Sequence, residues 1–597
     1  MNIVLIDSGI DATHKAFENV EIINYLYDDI IHSWRMTLKH EVYSGHGTGV
    51  ASIIINNTED ITIYSFKVFD EQLQCTEEML LNCLEYVYNN IECSLINMSL
   101  GTLQYNEKLY NICKMLENKN VIIISAFSND GGISYPAAFD CVIGVDASFR
   151  CIRNDQFVFV RNSVINVKAK GANQRIAWID NKYMITQGAS YACGYVTNFV
   201  IKLYQKGVIK FQDILQEICN KSSYIYETKY IEESTKEIIF DRVALFPYNK
   251  EISSIVNFAD DYKIQIAGIF EHPRLGHVGM DVKSIYSDQT YKIKSISQCD
   301  WDDFDLMVIG HLDEQENQLQ IPLKKNLLDK CLRYRKNVYS LDEHYMKEYD
   351  YRFAQNNLLL YYPKIQNNFD YSINLGKLYH INVPVVAIFG TSKRQGKFTI
   401  QLLLRKYLME MGYQVGQIGT EPHSLLFKFD CVIPMGYESF NNMNANTLIP
   451  FLNKQMHLIE KKGVDIILAG AQSGTIPHAY NNMWYFNNQQ LDFLCGIAPD
   501  AAVLCINYHD EISYIQRTIK GIEAVGNCAV IALCLFPLGY LNDWDLMNDN
   551  KRNIDIEALE MFRKKVENTL NCPVYITGSE DMAERIGERI FRFFGGQ

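Results

Sequence analysis

The chain has 597 residues, 48% hydrophobic and 21% charged, with a formal net charge of -14. That length is too great for one core and implies roughly two to four globular domains, while the apolar fraction excludes a disordered chain. An acidic balance without a long basic run argues against nucleic acid or an anionic membrane as partner, and no apolar run approaches the about 18 residues of a membrane span.

In chain order, "MNIVLID" reads as a short buried strand that ends on Asp7. It has no charged leader, no cleavage site and too short an apolar run for a signal core, so neither a signal peptide nor an inhibitory pro-segment is expected ahead of Asp7. "SGHGTGVAS" follows, with His46 between glycines at the mouth of a helix. Short β-rich runs ("ITIYSFKVF", "CSLINMSLG", "NVIIISAF", "CVIGVDA") then alternate with helical stretches such as "TEEMLLNCLEYVYNN". Strands alternating with helices predict an α/β domain with a parallel sheet over 1–220. "TQGASYACGYV" places Ser190 at the start of another helix. The polar stretch 221–240 breaks the rhythm and reads as a linker or edge hairpin. From 241 to 375 a smaller Rossmann-like α/β domain is expected; it lacks G-x-G-x-x-G, so no dinucleotide follows. From 380 to 597 a third α/β domain opens on "VPVVAIFGTSKRQGKFT". The 16 cysteines contain no C-x-x-C pair, which argues against a disulfide framework or zinc site and predicts a reducing, cytoplasmic setting.

Asp7, His46 and Ser190 form the first constellation. A nucleophilic serine needs a base for its proton, and the base needs a carboxylate to fix its tautomer and stabilise the imidazolium. The three residues occur in the order Asp, His, Ser, one of the orders known to build that geometry. Singly, each has an ordinary alternative as a turn or helix-start residue. Together the motifs resemble the subtilisin-like serine peptidases: "VLIDSGID" with His14, "GHGTGVAS" and "GASYA" are similar to their aspartate, histidine and serine motifs. "INMSLG" resembles their substrate-pairing strand, and "SAFSNDGGISYPAAF" the segment with the oxyanion asparagine and the wall of the S1 pocket. The resemblance implies a subtilisin-like parallel sheet with helices on both faces and catalytic roles for Asp7, His46, Ser190 and Asn129. It further implies substrate contacts at Ser99, Leu100, Gly101, Tyr135 and Pro136, with no cofactor needed for proteolysis. Ala189 and Gly194 depart from the usual serine motif, and Phe127 is bulkier than the residue usual before the oxyanion segment, which bears on S1 shape. No calcium or other metal site is expected.

The second constellation is strand, glycine turn and helix, the setting of a phosphate loop. Gly390, Thr391, Ser392, Gly396, Lys397 and Thr399 are its candidate nucleotide-binding residues, with the loop amides and Lys397 on the phosphates and Ser392 or Thr399 on Mg²⁺. The spacing is one residue longer than the commonest form, and Phe398 takes the usual hydroxyl position. "GTSKRQGKFT" resembles the loop of dethiobiotin-synthetase-like proteins and of the two-domain family that includes D-glutamate N-acetyltransferase, as do "QVGQIGT", the Asp430 segment and the stretch with Ser473 and His478. Ala469 stands where that family has an acid that would help hold Mg²⁺ or position water, which argues against nucleotide hydrolysis or phosphoryl transfer; binding of ATP or another nucleotide with Mg²⁺ is expected from Lys397 and the loop amides. Three readings follow: a cytoplasmic endopeptidase cutting a specific peptide or precursor, as in peptide natural-product maturation; a nucleotide- or acyl-donor-dependent transferase acting on a peptide; or a peptide-binding scaffold with both sites degenerate.

Overall fold

Strand β1 (Asn2–Asp7) is apolar along nearly its whole length and buried from Ile3 to Asp7, as a strand covered on both faces must be. The computed structural model describes residues 1–37, 42–227, 238–362, 374–435, 444–481, 488–539 and 552–595. The chain divides into two compact units, Met1–Ile231 with Asn368–Asn382, and Glu232–Asn367 with Val383–Gln597.

In the first unit the strands are β1, β2 (Glu21–Asp28), β3 (Ser33–Thr37), β4 (Thr62–Lys67), β5 (Leu95–Met98), β6 (Ile122–Ala126), β7 (Ile143–Ser148), β8 (Val158–Arg161) and β9 (Val167–Lys170), with β10 (Gln174–Trp178), β11 (Lys182–Thr186) and β12 (Tyr224–Glu227) after them. Ten of them form one sheet in the order β12-β8-β9-β7-β6-β5-β1-β4-β2-β3, while β10 and β11 pair as a separate hairpin. From β2 through β4, β1, β5, β6 and β7 to β9 the pairing is parallel. Two apolar clusters cover the sheet's faces: one gathers α1 (His46–Ile54), α4 (Ala189–Tyr204) and α5 (Phe211–Lys221), the other α2 (Glu77–Asn90) and α3 (Glu107–Asn118). α2 and α3 start on the side chains of Thr76 and Asn106, which accept backbone N–H groups of the first turn.

The stretch expected as a linker divides. Tyr224–Glu227 is an edge strand on β8, and 228–237 lie outside the described residues.

The second unit holds two parallel-rich sheets. The first, around Arg242–Phe246, has seven strands, and the second is centred on Val385–Gly390 and flanked by Ile466–Gly470 and Ala501–Asn507. The two expected domains thus share one unit, because Leu402, Leu426, Phe427 and Phe429 of the later sequence complete the apolar cluster around Val243, Leu245 and Tyr339. Residues 374–382, expected to span the end of the 241–375 domain and the start of the 380–597 domain, lie in the first unit. Among the described residues no helix is long and apolar enough to cross a membrane.

Candidate active site

Asp7 ends β1 at the carboxyl edge of the sheet, where open α/β folds place their sites. Its side chain is 1% exposed, and Oδ1 accepts both the Ser8 N–H at 2.6 Å and the His46 ring at Nδ1 at 2.8 Å. Gly47 permits that approach, since a Cβ there would lie 2.5 Å from the Gly9 carbonyl oxygen. Ser8 ties the two motifs together, its Oγ accepting the Gly47 N–H at 3.0 Å. Oδ2 of Asp7 is buried without a hydrogen-bond partner among the described residues. The carboxylate's charge is therefore met by the imidazole beside it and by one backbone N–H, that of Ser8.

His46 begins α1, with 18% of its side chain exposed. Burial pulls its pKa down, but the charge of Asp7 and the hydrogen bond to it outweigh burial, so the net shift is upward. With a carboxylate accepting at Nδ1, the proton sits on that nitrogen and Nε2 is left as the basic atom.

Ser190 lies in the first turn of α4 and is 7% exposed. Its backbone N–H belongs to the group that a helix start leaves without an intrahelical acceptor. α4 packs alongside α1 in the same sense: Gly49 lies against the Tyr191 ring, and Gly194 against Val50 and Ile53. The Tyr191 and His46 rings are 5.5 Å apart. The Ser190 hydroxyl donates a long bond of 3.5 Å to the Ser99 carbonyl, and among the described residues no hydrogen bond joins it to His46.

Asn129 sits in the exposed turn after β6. Its Oδ1 accepts the Ala189 N–H at 3.1 Å. That bond settles the amide's orientation, because an N–H requires an acceptor, and leaves Nδ2 as the donor beside the start of α4. Gly188, with φ of +148°, supplies the backbone turn that aims Ala189 at it.

Ser99 bridges the substrate segment to the nucleophile, its Oγ donating to the Ser190 carbonyl at 3.5 Å. Leu100 is half-buried and Gly101 exposed. Thr102 exchanges two 2.8 Å backbone bonds with Tyr135, which brings 99–102 and 134–136 together as facing walls. The Tyr135 ring turns into the core against Tyr105 and Phe139, and Pro136 follows a cis peptide, so this wall presents backbone. Phe127 is likewise buried, its ring against Gly144 within the apolar cluster. His14 holds the β10–β11 hairpin through the Lys182 carbonyl at 2.9 Å.

A buried amide absent from the expected set fixes this arrangement. Asn97 on β5 donates to Thr197 Oγ1 at 2.7 Å and to Cys193 Sγ at 3.2 Å, locking α4 to the central sheet. An asparagine inside the apolar run "SLINMSL" was its only sequence signal.

In the second unit the expected phosphate-loop residues do form one loop, from Gly390 at the end of its strand to the helix Lys397–Glu410. Lys397 Nζ donates to the Ser392 carbonyl at 2.7 Å, and Gln395 spans the loop from the Ser392 N–H to Thr391 Oγ1. Thr399 is half-buried in the helix's first turn. Ala469 lies buried on the neighbouring strand, so no carboxylate arises there. Asp510, not among the expected residues, places a carboxylate against the loop from beyond the strand on its other side: its Oδ2 accepts the Thr391 hydroxyl at 2.5 Å and the Asn507 N–H at 2.8 Å. Burial raises its pKa against the pull of those two donors. Asp430 pairs with Lys462 and His478 stacks edge-on against Tyr514, both outside the loop.

Residues 1–216 match the sequence profile of the subtilase family, and residues 372–581 that of a domain of unknown function described as a P-loop domain. A thermostable alkaline protease of Halalkalibacterium halodurans is 27% identical over 164 residues, covering 26% of this chain and 45% of that protein. The minor extracellular protease Epr of Bacillus subtilis is 26% identical over 191 residues, covering 30% of this chain and 29% of it. The chain thus spans less than half the length of these relatives. Among solved structures, a cold adapted subtilisin-like serine proteinase is 20% identical with a TM-score of 0.31, covering 37% of this chain and 84% of that one. The prenylagaramide maturation protease PagA is 21% identical with a TM-score of 0.29, covering 36% and 80%.

Proposed function

We propose, from the premise that residues 1–216 are a subtilase domain and 372–581 a P-loop domain, that this protein is a serine endopeptidase acting on a specific peptide or precursor peptide. The observation that carries the reading is the pairing of His46 with buried Asp7 at the start of one helix, beside the parallel helix whose first turn carries Ser190. In the reaction His46 Nε2 takes the Ser190 proton as Oγ attacks the peptide carbonyl. Asp7 stabilises the imidazolium, and the oxyanion is held by Asn129 Nδ2 and the Ser190 N–H. His46 then returns the proton to the leaving amine, and water hydrolyses the acyl-enzyme by the same steps. In this reading the Ser190 hydroxyl leaves its long contact with the Ser99 carbonyl to donate to His46 Nε2; catalytic bonds are commonly long before substrate binds. The substrate backbone lies along Ser99–Gly101, opposite the wall formed by 134–136.

A fluorophosphonate probe tests the reading. The wild type is expected to be labelled and Ser190→Ala spared; a folded wild type that resists labelling refutes it. Mass spectrometry of products from a peptide library then identifies the cleavage preference and the kind of precursor cut. The setting we assign is the cytoplasm. The second unit binds ATP or another nucleotide with Mg²⁺ through Lys397 and the loop amides. Asp510 sits against the loop where Ala469 leaves no acid. Titration calorimetry with ATP, GTP and acetyl-CoA is expected to give binding that Lys397→Ala abolishes; equal binding by both proteins would refute the loop's role.

A further inference from the structure

Residues 374–382 return to the protease unit after the whole of Glu232–Asn367 has been laid down elsewhere. Tyr379 is buried in the cluster that holds Phe127 and Tyr135, with Leu375 and Ile381 packed on the same cluster. The Leu378 carbonyl accepts the Ile133 N–H at 2.9 Å, and Asn374 accepts the Ser163 hydroxyl at 3.4 Å. This strap therefore lies along the loop 128–133, which carries Asn129.

Lys377 is the polar centre of the strap. Its side chain is 11% exposed, and Nζ donates to the Ser128 carbonyl at 3.4 Å. The same ammonium lies 3.7 Å from Asp146 and 5.8 Å from the centre of the Phe127 ring, while Lys168 holds Asp146 from the other side at 3.2 Å. The Ser128 N–H is itself bound, donating to Ser134 Oγ at 2.8 Å. Both peptide groups of Ser128 are thus tied, one by the S1 wall and one by the strap. The second of them is the peptide plane from which Asn129 extends toward Ala189. An ammonium, with three donors on a point charge, can serve a carbonyl and a carboxylate together, and its apolar stem covers Phe127.

We propose that Lys377 is a positioning residue for the proteolytic reaction, setting through the Ser128 carbonyl the direction in which Asn129 presents Nδ2. The proposal rests on the serine-endopeptidase reading. It makes a side chain from beyond the second unit's first sheet a determinant of catalytic rate in the first.

The test uses the full chain and the fluorophosphonate probe, separating the inactivation rate constant from the apparent dissociation constant. Ser190-dependent labelling of the wild type is required first, and its absence refutes the endopeptidase reading itself. Given labelling, Lys377→Met keeps the stem and removes the donor. It is expected to lower the inactivation rate constant by about tenfold, less than the about 10² to 10³ for loss of an oxyanion donor, with the dissociation constant unchanged. Lys377→Arg is expected to restore most of the rate. In an Asn129→Ala background Lys377→Met is expected to cause no further loss. Equal losses in both backgrounds, a change confined to the dissociation constant, or no change at all would each overturn the proposal. Should Lys377→Met fold poorly, the Lys377→Arg and Lys377→Gln pair decides it by the same comparison.

Discussion

Asp7 meets one side chain, His46, which shares its Oδ1 with the Ser8 N–H, and its other oxygen finds no partner among the described residues. Burial lowers the histidine's pKa and the carboxylate raises it further, so the folded value exceeds the ordinary 6.5. The stabilisation from this pair is complete below pH 6.5 and is lost as pH rises through the folded value, over the same interval in which the neutral, proton-accepting imidazole appears. The labelling rate is expected to rise with pH with a midpoint above 6.5. Asp7→Asn should move that midpoint below 6.5, since burial then acts unopposed. A midpoint unaffected by Asp7→Asn would show that the carboxylate does not govern the base. Asp7, His46 and Ser190 were legible in the sequence because each lies in a short motif whose neighbours fix its local backbone. The direction of the Ser190 hydroxyl was not, since it depends on a carbonyl at Ser99 from a distant strand.

At the scale of elements, α4 owes its placement to α1 and to Asn97. Removing the hydroxyl that receives the Asn97 amide leaves a buried donor with only a thiol to meet it. Thr197→Val is expected to destabilise the protein by about 1 to 3 kcal/mol in urea unfolding and to slow Ser190 labelling, because the helix carrying Ser190 loses its anchor. A neutral result in both would mean that packing alone holds the helix. The alternation of strands and helices announced the parallel sheets of both units, as apolar periodicity is a local signal. What it could not announce was contact between distant segments. Tyr224–Glu227 became an edge strand by pairing with β8, Asp510 reached Thr391 across the phosphate loop, and residues 374–382 returned to the first unit. Each depends on partners more than sixty positions away, about which sequence spacing is silent.

At the scale of the whole molecule, stability in the second unit rests partly on a buried ion pair. Lys324, fully buried, donates to Asp342, which also bonds His311. Burial pushes the Asp342 pKa up, but His311 and Lys324 outweigh it and hold it at about 2, below the ordinary 3.8. The pair's contribution is therefore present above pH 3.8 and lost as pH falls through about 2. Lys324→Met removes the ammonium and leaves the buried carboxylate to His311 and the His344 N–H; it is expected to cost about 1 to 3 kcal/mol at neutral pH, measured by denaturant unfolding, with the difference from wild type shrinking as the acid range is entered. A difference that persists unchanged at pH 2 would assign the loss to packing.

The strap that braces the oxyanion loop has a consequence in time. A ribosome that has finished α5 of the first unit at Lys221 still has about 150 residues to translate before Lys377 and Tyr379 exist, an interval of roughly 8 to 30 seconds at ordinary elongation rates. Throughout it the nascent chain carries Asp7, His46 and Ser190 without Lys377, the side chain we propose aims Asn129. On the proposed reading, translation order thus delays full competence until every strand of the second unit's first sheet, the last ending at Tyr361, has been synthesised.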